Sequence, residues 1–327
     1  MTLARVPLPA IDELDGLPTR DVYRRMLVEL ASLDPRIYCV DSDMGGLEDV
    51  FAQRLPDQYV NLGIAEANMM GVAAGLAAAG KTVFANAISS FAATRACEQV
   101  KIDIAANGLP VRIVVTHSGV SAGHYGPTHH ALEDIAIMRA MSNMTVVVPS
   151  DNVETVLATH AVASLPGPAF VRLGRTATPA VHEAYYDFAI GRAVRVREGD
   201  DVAIVATGAY PVTMALEAHE RLLGLGVRAR VLAVHTVRPI DADALVAAAR
   251  ETAGIVTVED HVVGGGLGGA VCEVTAETCP CPVRRIGFPD AFFDRVGGER
   301  HLLEAAGVSP ERIAEAAAGL ARGRSGQ

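Results

Sequence analysis

Along the chain, short and nearly continuous apolar runs rich in valine and isoleucine alternate with longer stretches where apolar residues recur every three or four positions. Runs of the first kind suit strands buried on both faces of a parallel sheet, and the second kind suits the helices that cross over between them. The pattern predicts strands at 37–42, 82–88, 111–117, 145–149 and 168–173, and helices at 19–33, 65–79, 92–106, 131–141 and 152–163. Over 176–190 the rhythm breaks. It resumes with strands at 201–206, 228–234, 254–259 and 282–287, helices at 211–223, 241–250 and 266–277, and a helical tail over 299–321, with residues 323–327 expected to fray. The expected fold class is α/β, with two doubly wound domains at 18–178 and 193–322 joined by a linker at 179–192.

Composition narrows the function classes. A chain of 327 residues, half of them apolar, suits two compact units. The net charge of −10 argues against nucleic acid or an anionic membrane surface as partner. The apolar run 69–79 is Ala- and Gly-rich and too short to span a membrane, and no basic-then-apolar leader opens the sequence. Five cysteines do not make a disulfide framework, so a reducing cytoplasm is expected. Cys272, Cys279 and Cys281 cluster, but Cys-Pro-Cys lacks the spacing of zinc or redox pairs.

Ligands of open parallel sheets collect beyond the carboxyl ends of the strands, so the residues just after each strand are the informative ones. Asp41 and Asp43 follow the first strand, and Glu66 follows the strand-like Tyr59–Leu62. Ser89–Phe91 and His117 follow the next two strands, and Arg172 and Arg175 close the fifth. His117 opens a loop that ends in "GHYGPTHHALED", with His124, Tyr125, His129 and His130. Taken alone, Glu66 reads as an acid stabilised by the N-terminus of its helix, and the histidine spacings fit no standard metal pair. "GGGLGG" at 264–269 formally matches G-x-G-x-x-G, yet no acidic residue ends the following strand, so it reads as a tight structural turn.

The segments "NLGIAEANMMGVAAGLAAAG", "FAATRACEQVKIDIA", "THSGVSAGHYGPTHHALEDIAIMRAMSNMTVVVPSD" and "PAFVRLGR" resemble the pyrimidine-binding domain of the transketolase family of thiamin-diphosphate enzymes. "GVRARVLAVHTVRPID", "VTVEDH" and "GGGLGGAVCEV" resemble the same family's C-terminal domain, so the likeness spans roughly 20–322. It implies that Glu66 contacts the aminopyrimidine of the cofactor and relays acid–base catalysis through that ring to C2 of the thiazolium. It further implies that Phe91 stacks on the aminopyrimidine, with Asp43 and Ile64 beside the cofactor. His129 would be catalytic with Glu66, next to the thiazolium and the substrate carbonyl. His117 and Arg175 would hold a sugar phosphate, with His124 and Tyr125 in the substrate loop.

Two departures from the family pattern matter. Thr94 and Cys97 stand where relatives often carry further aromatics, and Tyr125 stands where sugar-converting relatives carry an aspartate, which leaves the sugar open. The Gly-Asp-Gly followed by Asn that holds Mg²⁺ and the diphosphate has no match; Glu198-Gly199-Asp200-Asp201 is the nearest string. The resemblance therefore implies the C-terminal subunit of a split transketolase, completed by an N-terminal partner that carries the diphosphate and Mg²⁺. An α2β2 assembly with self-dimerisation follows, moving a two-carbon ketol unit between phosphorylated or modified sugars. The alternatives are the β subunit of a 2-oxoacid dehydrogenase E1, an acyloin-forming synthase, and a non-catalytic assembly subunit.

Overall fold

The computed structural model describes residues 6–177 and 179–325; position 178, the expected end of the first domain, and positions 326 and 327 of the tail lie outside the described residues. The first part of the chain runs α1 (Thr19–Leu33), β1 (Ile37–Asp41), β2 (Tyr59–Asn61), α2 (Glu66–Ala78), β3 (Thr82–Ile88), α3 (Ser89–Thr94) and α4 (Cys97–Gln99). It continues through β4 (Val111–Thr116), α5 (Asp134–Ala140), β5 (Thr145–Val147), α6 (Asn152–Ala163) and β6 (Ala169–Arg172). The second part runs β7 (Val194–Arg197), β8 (Val202–Thr207), α7 (Ala209–Leu223), β9 (Ala229–Ala233), β10 (Thr236–Arg238) and α8 (Ala242–Glu251). It ends with β11 (Ile255–Val262), α9 (Leu267–Thr278), β12 (Val283–Phe288), α10 (Glu299–Ala305) and α11 (Pro310–Ser325).

The apolar runs become central strands because both of their faces are covered: every residue of β4, β8 and β9 is buried. The first sheet has the order β10-β5-β6-β4-β3-β1-β2 and the second β12-β11-β8-β9-β7. Two doubly wound α/β domains are present, but neither sheet is wholly parallel. β7, with its alternating Val-Arg-Val-Arg, runs antiparallel along β9 at an edge. β10 leaves the second domain and pairs antiparallel with β5, and Val148 N–H donating to His235 O at 2.8 Å prolongs the ladder. The first sheet is thus closed at one edge by residues that lie beyond the linker.

Helix 92–106 is not continuous. It begins early, at Ser89, breaks at Ala96 (φ −101°, ψ 12°), and ends in a π-wound turn over Val100–Ala105. The tail also divides, at Gly307 with its left-handed φ of 89°. α2 lies against the first sheet through Met69, Met70, Ala73, Ala74 and Ala77, all buried. Full burial of a Met side chain contributes about 1.5–3 kcal/mol. That packing fixes the start of α2, and Glu66 with it.

The expected linker is packed rather than loose. The backbone N–H groups of Val181 and His182 donate to Asp151 Oδ2 at 2.8 Å, and the buried His182 ring reaches the same oxygen at 3.2 Å. Tyr186 Oη donates to Glu154 Oε1 at 2.9 Å. A second joint lies between β6 and β11. Arg172, buried, donates from Nε to Asp134 Oδ2 at 2.7 Å and from Nη2 to Asp260 O at 2.8 Å. The Asp260 carboxylate in turn accepts the Val120 N–H at 3.2 Å. Gly119, with φ 57°, lets the chain pass there, because a Cβ would stand 1.7 Å from Asp260 Oδ2.

Candidate active site

Glu66 is the first residue of α2 and is buried, 2% exposed. A buried carboxylate needs a partner, and it finds one in Arg95, whose Nη1 donates to Oε2 at 2.7 Å. The same guanidinium lies over the Phe91 ring, 4.4 Å from its centroid. Phe91 meets the His129 imidazole edge-on at 5.1 Å, and His129 stacks on Tyr125 at 4.8 Å. Tyr125 then touches three further groups, with ring centroids 4.2 Å from His124 and 6.1 Å from His117 and the Arg175 guanidinium 5.5 Å above its ring. One continuous row runs from a buried acid to a basic end.

The local chain explains each position. Gly126 (φ 70°, ψ −158°) bends the loop Gly123–Thr128 so that His124, Tyr125 and His129 face one another. Thr128 Oγ1 lies 2.9 Å from His129 Nδ1, and Thr116 Oγ1 lies 2.8 Å from His117 Nδ1, so each hydroxyl holds one ring nitrogen and leaves Nε2 for other work. His117 sits at φ 58°, a conformation that costs energy in a non-glycine residue and gathers at functional positions. Burial, with Arg20, Arg175 and His129 nearby, pushes its imidazole down to about 4. Burial, aided by His124, also holds His129 below the ordinary imidazole range.

The basic end is assembled from two distant segments. Pro18 bridges Ala177, and Thr19 Oγ1 and Gly174 bond each other, which sets Arg20 at the head of α1 beside the loop after β6. Arg20 Nε is buried without a hydrogen-bond partner, and burial lowers its pKa. Arg175 Nη1 meets His124 Nδ1 at 3.1 Å. Guanidinium and imidazole groups converging in this way have the donors that a tetrahedral anion would accept from.

Of the residues singled out in the sequence, Glu66, Phe91, His129, Tyr125, His124, His117 and Arg175 are brought together. Ile64 stands 71% exposed in the loop before α2, and Asp43, exposed and with φ 64°, lies two residues after the end of β1; neither is a member of the row. Asp41, Ser89 and Arg172 serve the fold instead: Asp41 accepts from Tyr59 Oη at 2.8 Å, and Ser89 and Arg172 both donate to Asp134. His130 is buried, 5.9 Å from Phe293 across the domain joint. Arg20 and Arg95 escape a reading of the sequence. Only the position of Arg95 one helical turn after Phe91, in "FAATRACEQ", hints at its contact. Thr94, which stands in the thinned aromatic wall, is exposed and bonded to Ser90 O; the guanidinium of Arg95 covers Phe91 instead.

The "GGGLGG" turn binds no part of this row. Glu259 fills it, accepting the N–H groups of Leu267 at 2.6 Å and Gly268 at 2.9 Å at the start of α9. Among the described residues, no group of three or more His, Cys, Asp or Glu is placed to hold a metal ion, and no helix is long and apolar enough to cross a membrane.

Known proteins share both domains of this chain. The profile of the transketolase pyrimidine-binding domain matches residues 15–180, and that of the transketolase C-terminal domain matches 191–313. The chain belongs to the transketolase family. Within it, the chain is 41% identical over 300 residues to the 6-deoxy-6-sulfo-D-fructose transketolase subunit SqwH of Clostridium sp., covering 91% of this chain and 92% of that one. It is 39% identical over 302 residues to the second subunit of the apulose-4-phosphate transketolase of Phocaeicola vulgatus, covering 91% and 96%. A solved structure described as an inactive β4 tetramer of a split-gene transketolase superposes with a TM-score of 0.86 at 39% identity, covering 94% of this chain and 99% of that one. Transketolases about 20% identical, such as that of Campylobacter jejuni (TM-score 0.78), share the fold.

Proposed function

We propose that this chain is the C-terminal subunit of a two-component, cytoplasmic transketolase that transfers a two-carbon ketol unit between sugars ending in an anion. The observation that carries the reading is the row from Glu66 through Phe91, His129 and Tyr125 to His117 and Arg175. A buried carboxyl group beside an aromatic face fits an aminopyrimidine, which can stack on one while its ring nitrogen shares a proton with the other. Thiamin diphosphate, when bound, would supply the nucleophilic carbon and electron sink that ketol transfer requires.

The chain's own residues divide the remaining work. Glu66 would hold a proton at a ring nitrogen of the aminopyrimidine, and Phe91 would offer that ring a stacking face. His129, with Nδ1 engaged by Thr128, presents Nε2 to the substrate carbonyl oxygen and stabilises negative charge there. His117, Arg20 and Arg175 anchor the far end of the sugar, and Tyr125 fills the space between anchor and imidazole. The similarity to subunits named for a sulfonated and a phosphorylated sugar supports an anionic terminus. Those same names, and the split-gene structure, support an N-terminal partner. We assign Mg²⁺ and the diphosphate to that partner, within an α2β2 assembly built on self-dimerised copies of this chain.

Co-purification with the N-terminal partner tests the reading. Glu66→Ala is expected to lower thiamin-dependent ketol transfer at least ~10²-fold, the usual worth of a positioned acid–base group, while the complex elutes unchanged. Turnover that survives the substitution would sink it.

A further inference from the structure

Two of the groups given to the cofactor by the proposed function are already engaged, and by one side chain. The Arg95 guanidinium is planar, lies 4.4 Å over the Phe91 ring and donates to Glu66 Oε2 at 2.7 Å. Stacking on Phe91 and hydrogen-bonding to Glu66 are the two contacts that an aminopyrimidine would need. While Arg95 makes both, it competes with the ring for them.

We propose that Arg95 is a placeholder: in the free subunit it sits in the aminopyrimidine seat, and it must swing out for the cofactor to enter. This rests on the thiamin reading of Glu66 and Phe91. Burial says which partner moves. The Glu66 side chain is 2% exposed and fixed by the start of α2, whereas the Arg95 side chain is 47% exposed and reaches in from the surface. A long, exposed cation regains its hydration on leaving, and a buried carboxylate cannot follow it. The chain breaks immediately after, at Ala96, so Arg95 ends its helical turn rather than lying within a continuous helix.

The arrangement serves the free chain. An isolated subunit would otherwise bury Glu66 with no counter-ion next to an uncovered aromatic face. Arg95 satisfies both until the cofactor takes its place. It also makes cofactor affinity depend on the fraction of time the seat is vacant, since apparent binding weakens in proportion to the population of the competent form.

The test uses the complex of the full chain with its partner, titrated calorimetrically with thiamin diphosphate and Mg²⁺. A seat occupied nine-tenths of the time predicts that Arg95→Ala binds the cofactor about tenfold more tightly than the unaltered complex. Arg95→Met, which keeps the stem over Phe91 but cannot donate, should fall between the two. Unchanged or weaker binding by Arg95→Ala would overturn the proposal while leaving the thiamin reading intact. Absence of cofactor binding in the unaltered complex and both variants would overturn both. A second readout needs no variant. The side-chain ¹⁵N–H signals of Arg95 should be protected from water in the cofactor-free complex and lose that protection when thiamin diphosphate and Mg²⁺ are added to it; protection that persists in the loaded complex would count against displacement.

Discussion

At the scale of single residues, the site depends on hydroxyls and charges that set the two histidines. His117 is pushed down to about 4 by burial and by cations that the fold gathers around it, so it is neutral at pH 7. An anion bound between Arg20, Arg175 and His117 offsets those cations and should raise the midpoint. Histidine C2–H resonances followed against pH are expected to show this: a midpoint near 4 alone, and a higher one in sulfate. No movement with sulfate would remove His117 from the anion site. Thr128 acts through His129, whose Nδ1 it holds. Thr128→Val should lower kcat about tenfold with little change in KM and shift the pH–rate profile, as expected when an imidazole loses the bond that orients it. That Glu66, Phe91 and His129 lie along one row is legible in the sequence because each has a motif around it. Arg20 and Arg95 are not, because their roles come from packing between segments, and an arginine on a helix surface carries no local mark.

At the scale of elements, legibility tracks burial. Helix α1 and strand β3 fall on the predicted residues, since their patterns are long and one-sided or continuously apolar. Strands β7 and β10, four and three residues long, are too short to stand out, since even the Val-Arg alternation of β7 covers only four positions and an edge strand is specified by the neighbour it pairs with. The "GGGLGG" turn is structural, as its sequence context implies, and the reason is Glu259. A Cβ on Gly266 would stand 2.1 Å from Glu259 Oε2, so Gly266→Ala should destabilise the chain by about 2–4 kcal/mol in urea unfolding. Burial raises Glu259 to about 7, from an ordinary value of 4.5. The folded chain therefore holds a proton there that the unfolded chain releases. Its contribution is fully present below pH 4.5 and is lost as pH rises through 7. Glu259→Gln should flatten the stability profile over that window, and an unaltered slope would refute the assignment.

At the scale of the whole molecule, the two domains are tied by a polar joint. Arg172 bonds Asp134 in the first domain and the Asp260 carbonyl in the second. Removing the guanidinium strands buried carboxylates, a change that typically costs about 3–5 kcal/mol. Arg172→Met should therefore lower the melting temperature and split a single thermal transition into two, measured by calorimetry. A single transition at the original temperature would show that the joint contributes nothing to coupling.

The excursion of β10 into the first sheet has a consequence for how such a chain can be divided. A genetic cut between the two domains, attractive on the sequence because the rhythm pauses there, would take the last strand from the upstream fragment and leave β5 as a bare edge, open to pairing with other chains. Fission at that point yields one sticky half and one half with an unemployed ribbon. The pyrimidine and C-terminal domains, joined in this way, are structurally one part.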